Sequence, residues 1–121
     1  MRMNLETIPN KYPKLTTRVS LTYPFARLCP VSGEPQASST LTISYDAGAC
    51  LLETKALRRY LDSFAGENVY DIRDLEEAAQ AIAQMCADTL TVQVVVRTHY
   101  ELLIGSMDVE VIAAPRSSDD S

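Results

Sequence analysis

Residues 51–64 read LLETKALRRYLDSF, and the fold is decided here because the apolar residues change from the spacing of a strand to that of a helix. Within this stretch apolar side chains recur at near-helical spacing, which predicts a helix starting at Leu51 and ended by Gly66. Just before it, TLTISY at 40–45 alternates apolar residues with hydroxyl residues and predicts a strand. The chain therefore passes from sheet to helix near residue 51.

The flanking sequence supplies the remaining elements. TTRVSLTY at 16–23 is rich in β-branched residues and predicts an earlier strand. After the first helix, Asp71 precedes a second apolar stripe, so we predict a second helix with Asp71 as its N-cap and Asp74 in its acidic first turn. Strand patterns at 90–101 and 102–114 predict two further strands.

The predicted order is β-β-α-α-β-β, which belongs to the α+β class. A four-stranded antiparallel sheet with two helices on one face gives a layered single domain, but its edge strands stay exposed. Oligomerisation that joins sheets edge to edge into a barrel removes these exposed edges. The order of elements and this mode of oligomerisation together describe the tunnelling fold, or T-fold. We place the domain at 16–114, between an irregular N-terminal arm at 1–15 and a polar C-terminal tail at 115–121.

Composition limits the classes of function. The chain of 121 residues carries a formal net charge of −5 and has a pI near 4.7, which argues against a broad basic face for duplex nucleic acid. Its N-terminus has no apolar signal region, and no apolar run approaches the ~18 residues of a membrane span. Three cysteines without CxxC spacing disfavour a disulfide framework and a zinc site, so we expect a cytoplasmic protein without a metal.

A cysteine stands next to a rigid turn in LCPVSGEP at 28–35. Proline fixes φ and lacks an amide hydrogen, and Gly33 permits backbone conformations that other residues avoid. Cys29 is therefore expected on a defined loop, where its thiol is either displayed or, as free cysteines usually are, buried as a small apolar residue.

A cluster of cations lies on the first predicted helix. Lys55, Arg58 and Arg59 are close in sequence, and such a cluster can bind a phosphate even on an acidic protein. The alternative is a solvated helix face.

Three stretches together resemble one known family. LETIPN at 5–10, LCPVSGEP at 28–35 and ETKALRRYLDSF at 53–64 are similar to the unimodular QueF family, the NADPH-dependent 7-cyano-7-deazaguanine reductases of queuosine biosynthesis. The match runs in order over about residues 5–65, and the order of elements extends it to the end of the chain. The chain departs from the family signature of the helix at Thr54, Arg58 and Arg59.

The resemblance implies NADPH as cofactor and a deazapurine nitrile as substrate. Lys55, Arg58 and Arg59 are the implied cofactor-binding residues, since both residue types contact phosphates. Asp71 stands where the family has a His-Glu pair, and its alternative role is the N-cap given above. Glu53 is either a substrate-binding carboxylate or a favourable charge in the first turn of the helix. The implied substrate-binding residues are Leu52, Glu53, Thr54 and Asp71.

The resemblance also implies a mechanism. In the family, a thiolate at the position of Cys29 attacks the nitrile carbon to form a covalent thioimide, which two hydride transfers from NADPH reduce to an aminomethyl group. The thiolate needs a nearby cation or loop amides; Arg27 is either that cation or a strand-end residue facing water. Family active sites lie between subunits, so self-association is implied as well.

Two further departures affect the predicted site. The family has an aspartate a few residues after the cysteine, where this chain has Gln36 and Ala37, and an amide cannot deliver a proton as a carboxyl does. Glu34 is the candidate substitute acid. The Arg-Gly-Gly segment of the family has no equivalent in RTHYELL at 97–103, where His99 is either a proton carrier or a strand-surface residue.

We therefore predict NADPH-dependent reduction of 7-cyano-7-deazaguanine in a cytoplasmic enzyme without a membrane partner. The departures leave two alternatives. A thioimide formed without hydride transfer would give an amidine or an amide, as in the QueF-like amidinotransferases of archaeal tRNA, and only this alternative includes a nucleic acid partner. The other alternative is a T-fold subunit that binds a ligand without catalysis.

Overall fold

The chain has the α+β architecture that the sequence predicts. The computed structural model describes residues 5–29, 32–65 and 74–116. The predicted order of two strands, two helices and two strands is confirmed, and two short strands are added to it. The elements in chain order are β1 (Thr7–Pro9), β2 (Arg18–Pro24), β3 (Thr40–Asp46), β4 (Cys50–Leu52), α1 (Thr54–Asp62), α2 (Leu75–Leu90), β5 (Val94–Leu102) and β6 (Gly105–Ala113).

The main sheet contains four antiparallel strands in the order β2-β3-β5-β6, while β1 and β4 pair separately. Alternate residues of β3 are buried, as in Leu41 and Ile43, and Thr42 between them lies on the opposite, outer face. Buried side chains of both helices join those of the strands in one core cluster, so both helices lie on the inner face. This layering agrees with a T-fold, whose edge strands here are β2 and β6.

The first helix begins later than predicted. Leu51 and Leu52 pair with Ile8 and Thr7 across β4 and β1, so the predicted helix start at Leu51 is wrong. Periodicity alone does not distinguish a short apolar strand from a helical turn, and here the N-terminal segment supplies a partner strand. The same pairing shows that the arm at 1–15, predicted as irregular, contains a strand.

The second helix also begins later than predicted. Its N-cap is Asp74, whose side chain accepts a hydrogen bond from the Glu77 N–H at 2.7 Å, so the assignment of Asp71 as N-cap is wrong. Asp71 itself lies outside the described residues, as does Gly66, the predicted end of α1. Neither α1 nor α2, the helices in the described part of the chain, is long and apolar enough to span a membrane.

The two C-terminal strands form a hairpin with shifted boundaries. The predicted strand at 90–101 starts too early, because Leu90 is buried as the last residue of α2 and Thr91 takes a left-handed φ of 57° that ends the helix. The hairpin turn falls on Leu103 and Ile104, which are 76% and 95% exposed. Neither is a typical turn residue, although Gly105, which has a φ of 140°, follows them directly.

Candidate active site

The loop that joins β2 to β3, residues 25–39, carries Cys29 and is called the Cys29 loop below. Cys29 N–H donates to the Glu34 carbonyl, and Gly33 N–H donates to the Cys29 carbonyl, each at 2.9 Å. Gly33 has a φ of 73°, which glycine adopts at little cost. Ser32 N–H donates to Cys29 Sγ at 3.5 Å. Cys29 is partly exposed, so the thiol is displayed from a closed turn rather than buried.

The three thiols differ in accessibility. Cys86 is buried in the core stripe of α2, and burial raises the pKa of its thiol to about 12, so it stays protonated at neutral pH. Cys50 is partly exposed in β4. Only Cys29 of the three lies on a loop, where a ligand has room to approach.

The base of the Cys29 loop is fixed by backbone and aromatic contacts. Arg27 N–H donates to the Pro35 carbonyl at 2.8 Å, and Arg27 has a φ of 59°, which is uncommon for a residue other than glycine. Its side chain is exposed, which agrees with the water-facing alternative. Phe25 packs edge to face on Phe64, which follows α1, with ring centroids 5.9 Å apart. The loop is thereby linked to the end of α1.

The far side of the Cys29 loop is anchored on β5. Gln36 N–H donates to the Glu101 carbonyl at 2.8 Å, and Glu101 N–H donates to the hydroxyl of the buried Ser39 at 2.8 Å. Leu103 N–H donates to Glu34 Oε2 at 2.7 Å. The candidate acid Glu34 therefore uses one carboxylate oxygen as a structural acceptor, and Gln36 occupies a backbone-anchored position.

His99 lies on the outer face of the sheet between two carboxylates. Its Nδ1 is 2.6 Å from Asp108 Oδ1, and its Nε2 is 2.6 Å from Glu101 Oε1. These hydrogen bonds raise the pKa of His99 above its ordinary value of 6.5, and the one to Asp108 contributes most. His99 lines a shallow cavity of about 290 Å³ on this face together with residues of β3 and β6. The strand-surface placement agrees with one of the two roles that the sequence left open.

Of the implied substrate-binding residues, Glu53 is the N-cap of α1. Its Oε2 accepts hydrogen bonds from the backbone N–H groups of Lys55 and, at 2.9 Å, of Ala56, so Glu53 has the helix-stabilising role given as its alternative. Its other oxygen, Oε1, has no hydrogen-bond partner within the described residues. Leu52 is only 4% exposed and belongs to the core, whereas Thr54 is exposed at the start of α1.

The implied cofactor-binding residues lie on the exposed face of α1. Arg58 Nε contacts Asp62 Oδ1 at 3.1 Å within the helix, and Arg59 Nη2 lies 4.0 Å from Glu6 Oε1. Lys55 is exposed near the start of the helix. Surface ion pairs contribute about 0–1 kcal/mol, so an incoming phosphate can replace Asp62 or Glu6 at low cost. The three cations therefore fit a role in binding the phosphates of a dinucleotide.

Sequence reasoning missed the surroundings of His99 and the anchors of the Cys29 loop. The alternation along β5 places Glu101 on the same face as His99, a signal that was available in the sequence. The contact with Asp108 depends on the register of β6 against β5, and the anchors at Ser39 and Leu103 join segments about 60 residues apart or more. No local pattern encodes these contacts.

Three curated proteins that are similar to this chain share one name. The NADPH-dependent 7-cyano-7-deazaguanine reductase of Parvibaculum lavamentivorans is 37% identical over 87 residues, which cover 71% of this chain and 53% of that protein. The protein of the same name from Syntrophus aciditrophicus is 39% identical over 67 residues, which cover 54% of this chain and 47% of that protein. The one from Rhodopseudomonas palustris is 43% identical over 61 residues, which cover 50% of this chain and 38% of that protein. No protein-family model matches the chain. The predicted resemblance is confirmed, and the chain spans about half the length of the curated relatives it matches.

Proposed function

We propose that this chain reduces the nitrile of 7-cyano-7-deazaguanine to an aminomethyl group with NADPH, and that Cys29 is the nucleophile. The observation that carries the proposal is the 37% identity over 87 residues to a reductase of that name. The Cys29 loop supports it, because a partly exposed thiol sits in a closed turn with the Ser32 N–H directed at its sulfur. Such a donor stabilises a thiolate more than a thiol.

The proposed reaction begins with attack of the Cys29 thiolate on the nitrile carbon. A C–S bond forms and the nitrile nitrogen takes up a proton, which gives a thioimide that accepts a hydride more readily than the nitrile does. NADPH, when bound, supplies the two hydrides. The first hydride adds to the thioimide carbon, and the C–S bond then breaks, so that Cys29 leaves as the thiolate and an imine remains. The second hydride adds to the imine carbon, and uptake of a second proton by the nitrogen gives the amine. Each turnover consumes two hydrides and two protons and regenerates Cys29.

The cofactor-binding and substrate-binding roles are assigned to residues on α1 and near it. We assign Lys55, Arg58 and Arg59 to the cofactor phosphates because all three are exposed on one helix. Glu53 binds the substrate through Oε1 while Oε2 caps α1, and Thr54 lies next to it. Asp71 completes the proposed substrate-binding set, whereas Leu52, a core residue that is only 4% exposed, is left out of it.

Glu34 is the proposed proton donor to the nitrile nitrogen. Its Oε2 accepts from Leu103 N–H, which leaves Oε1 available for proton transfer on the same loop as Cys29. Hydrogen bonding of one oxygen also fixes the direction of the carboxyl group, as proton transfer requires. Glu34 therefore combines an anchoring role with a chemical one.

The Cys29 loop is separated in the chain from the cations of α1, and a complete site requires both. We propose that self-association through the edge strands β2 and β6 builds the site between subunits, since edge strands present unpaired backbone groups. We further propose that the protein works in the cytoplasm, where a thiol stays reduced.

One observation favours a second candidate function. The only carboxyl group between Cys29 and Ser39 is that of Glu34, and it is already used to anchor the loop. If it supplies no proton, a thioimide would still form and then react with ammonia or water, which gives an amidine or an amide without consuming NADPH. A tRNA partner belongs to this second function alone.

Oxidation of NADPH, followed by its absorbance, tests the proposal. We expect absorbance to fall when 7-cyano-7-deazaguanine is added to reduced protein, with two cofactor molecules consumed per nitrile. Cys29→Ala abolishes this signal, whereas Cys50→Ala, the matched change at a partly exposed thiol away from the loop, retains it. Absence of oxidation by the wild-type protein would refute nitrile reduction.

A further inference from the structure

We propose that His99 is a positioning residue for the nucleophile. Its imidazolium, held between Glu101 and Asp108, fixes the end of the β5–β6 hairpin on which the Cys29 loop is anchored. The reactivity of Cys29 therefore follows the charge on His99. The proposal rests on the proposed function of Cys29 as the nucleophile. It adds a residue of the sheet face that neither the resemblance nor the curated relatives assign.

The geometry fits a doubly protonated ring. Both ring nitrogens lie 2.6 Å from carboxylate oxygens, Nδ1 from Asp108 and Nε2 from Glu101. A neutral imidazole has a single N–H, so it would direct a lone pair at one of the two carboxylates, whereas the imidazolium donates to both. Loss of the proton therefore breaks one of the two contacts and leaves a carboxylate without its donor.

The contacts of His99 connect two strands at the point where the Cys29 loop attaches. Asp108 is directly opposite His99 in the register of β5 and β6. Glu101, whose side chain binds His99, is also the residue whose backbone binds Gln36 and Ser39 of the loop. One residue thus contacts His99 through its side chain and the Cys29 loop through its main chain.

The charged groups around His99 do not offer a replacement cation. Arg97 on the same strand is paired with Glu110 across the hairpin, with Arg97 Nε 2.7 Å from Glu110 Oε2, and the residue opposite His99 on β3 is Thr40, which carries no charge. Without the imidazolium, two carboxylates face each other at the hairpin end. Among the residues that the structure describes, the titratable or charged groups that face His99 are Arg97, Glu101, Asp108 and Glu110.

Loss of the charge should lower the reactivity of the thiol through the anchored loop. A looser hairpin end weakens the closed turn that holds Ser32 N–H on Cys29 Sγ, and loss of that donor disfavours the thiolate. Above the pKa of His99, the wild-type protein should behave like a protein that lacks the charge.

Labelling of Cys29 by iodoacetamide, followed by peptide mass spectrometry from pH 6 to pH 9, tests this inference without nitrile or NADPH. The full chain is compared with His99→Gln, which removes the charge, and with His99→Arg, which keeps it at every pH. Arg97→Gln is the matched control, because it breaks the other side-chain ion pair between the same two strands. Thermal melts of each variant establish that it is folded, and Glu101→Gln serves if His99→Gln does not fold.

We expect His99→Gln to slow labelling of Cys29 about threefold at pH 6, which corresponds to a rise of about half a unit in the thiol pKa. The ratio of the variant's labelling rate to that of wild type should approach one as pH rises. His99→Arg should match wild type at low pH and exceed it at high pH, while Arg97→Gln should match wild type throughout. Equal slowing by Arg97→Gln and His99→Gln, or a ratio that does not change with pH, would overturn the inference. Failure of the proposed function gives a different result. The wild-type protein would then not oxidise NADPH, while labelling of Cys29 would still follow the expected pattern.

Discussion

Glu34 Oε2 lies 2.7 Å from the backbone nitrogen of Leu103, and this hydrogen bond attaches the loop that carries Cys29 to the tip of the β5–β6 hairpin. The same carboxyl group is the proposed proton donor. Its two roles separate experimentally, because a glutamine side chain keeps an oxygen acceptor but has no acidic proton.

Glu34→Gln should therefore leave iodoacetamide labelling of Cys29 within about twofold of wild type while it lowers NADPH-dependent turnover about 100-fold, the typical contribution of a general acid. Glu34→Ala should lower both, because Leu103 N–H loses its acceptor. The two variants are compared in the same labelling and absorbance assays. Normal turnover by Glu34→Gln would rule out the acid role and leave the anchoring role.

The cations of α1 should determine the affinity for NADPH. Arg58→Ala and Lys55→Ala each remove a proposed phosphate contact, so we expect Kd for NADPH to rise about tenfold, which corresponds to about 1.4 kcal/mol, and to depend less on salt. Arg18→Ala is the matched control, an exposed arginine paired with Asp46 on the sheet instead of α1. Titration of the fluorescence of bound NADPH measures these constants. An equal effect of all three variants would indicate a nonspecific loss of charge.

The sequence predicts the features that depend on local interactions and misses those that depend on contacts between residues far apart in the chain. The alternation in TLTISY and the helical spacing in α2 depend on local patterns, and both elements are found where these patterns lie. Leu51 and Leu52 were assigned to a helix because their partner strand lies more than 40 residues earlier in the chain. The turn at Leu103 and Ile104 was missed because both residues are apolar, and it becomes evident only from the register of β5 against β6.

The candidate site divides in the same way. Residue types and spacing placed Cys29 on a loop and grouped the cations of α1, and the family resemblance implied their roles. The anchoring of Glu34 on Leu103 and of Gln36 on Glu101 was not predicted, because these hydrogen bonds join the Cys29 loop to the β5–β6 hairpin more than 60 residues later. Tertiary packing decides both contacts.

Tyr100 should contribute to stability through its hydroxyl group. The ring is fully buried, its hydroxyl donates to the Leu75 carbonyl at 3.0 Å, and burial raises the pKa of Tyr100 to about 12. Tyr100→Phe leaves the first residue of α2 without this donor, so we expect the free energy of unfolding to fall by about 1–2 kcal/mol. Tyr12→Phe, at a residue that is 68% exposed, should change it by less than about 0.5 kcal/mol. Urea denaturation measures both, and equal effects would contradict the buried hydrogen bond.

Asp88 should make stability depend on pH in the acidic range. Burial tends to raise the pKa of Asp88, but hydrogen bonds from Arg116, at 2.6 Å to Oδ2, and from Gln84 outweigh it and lower the pKa below the ordinary 3.8. Because the folded pKa is the lower one, the stabilisation is present above pH 3.8 and is lost as pH falls through the folded value.

Asp88→Asn should therefore lower stability at pH 7 by at most about 1 kcal/mol, as for other partly exposed ion pairs, and have a smaller effect at pH 2.5. Urea midpoints of both proteins at the two pH values test this. A constant difference between the two pH values would show that the carboxylate charge is not the source of the effect.

The mass of the intact protein after incubation with 7-cyano-7-deazaguanine tests the central claim, nucleophilic attack by Cys29, most directly. Without NADPH we expect an increase equal to the mass of one nitrile molecule per chain, located at Cys29 by peptide mapping, absent from Cys29→Ala and retained in Cys50→Ala. Addition of NADPH should remove the adduct and release the aminomethyl product. A wild-type protein that binds the nitrile but gains no mass, or that gains it at Cys50, would contradict the account.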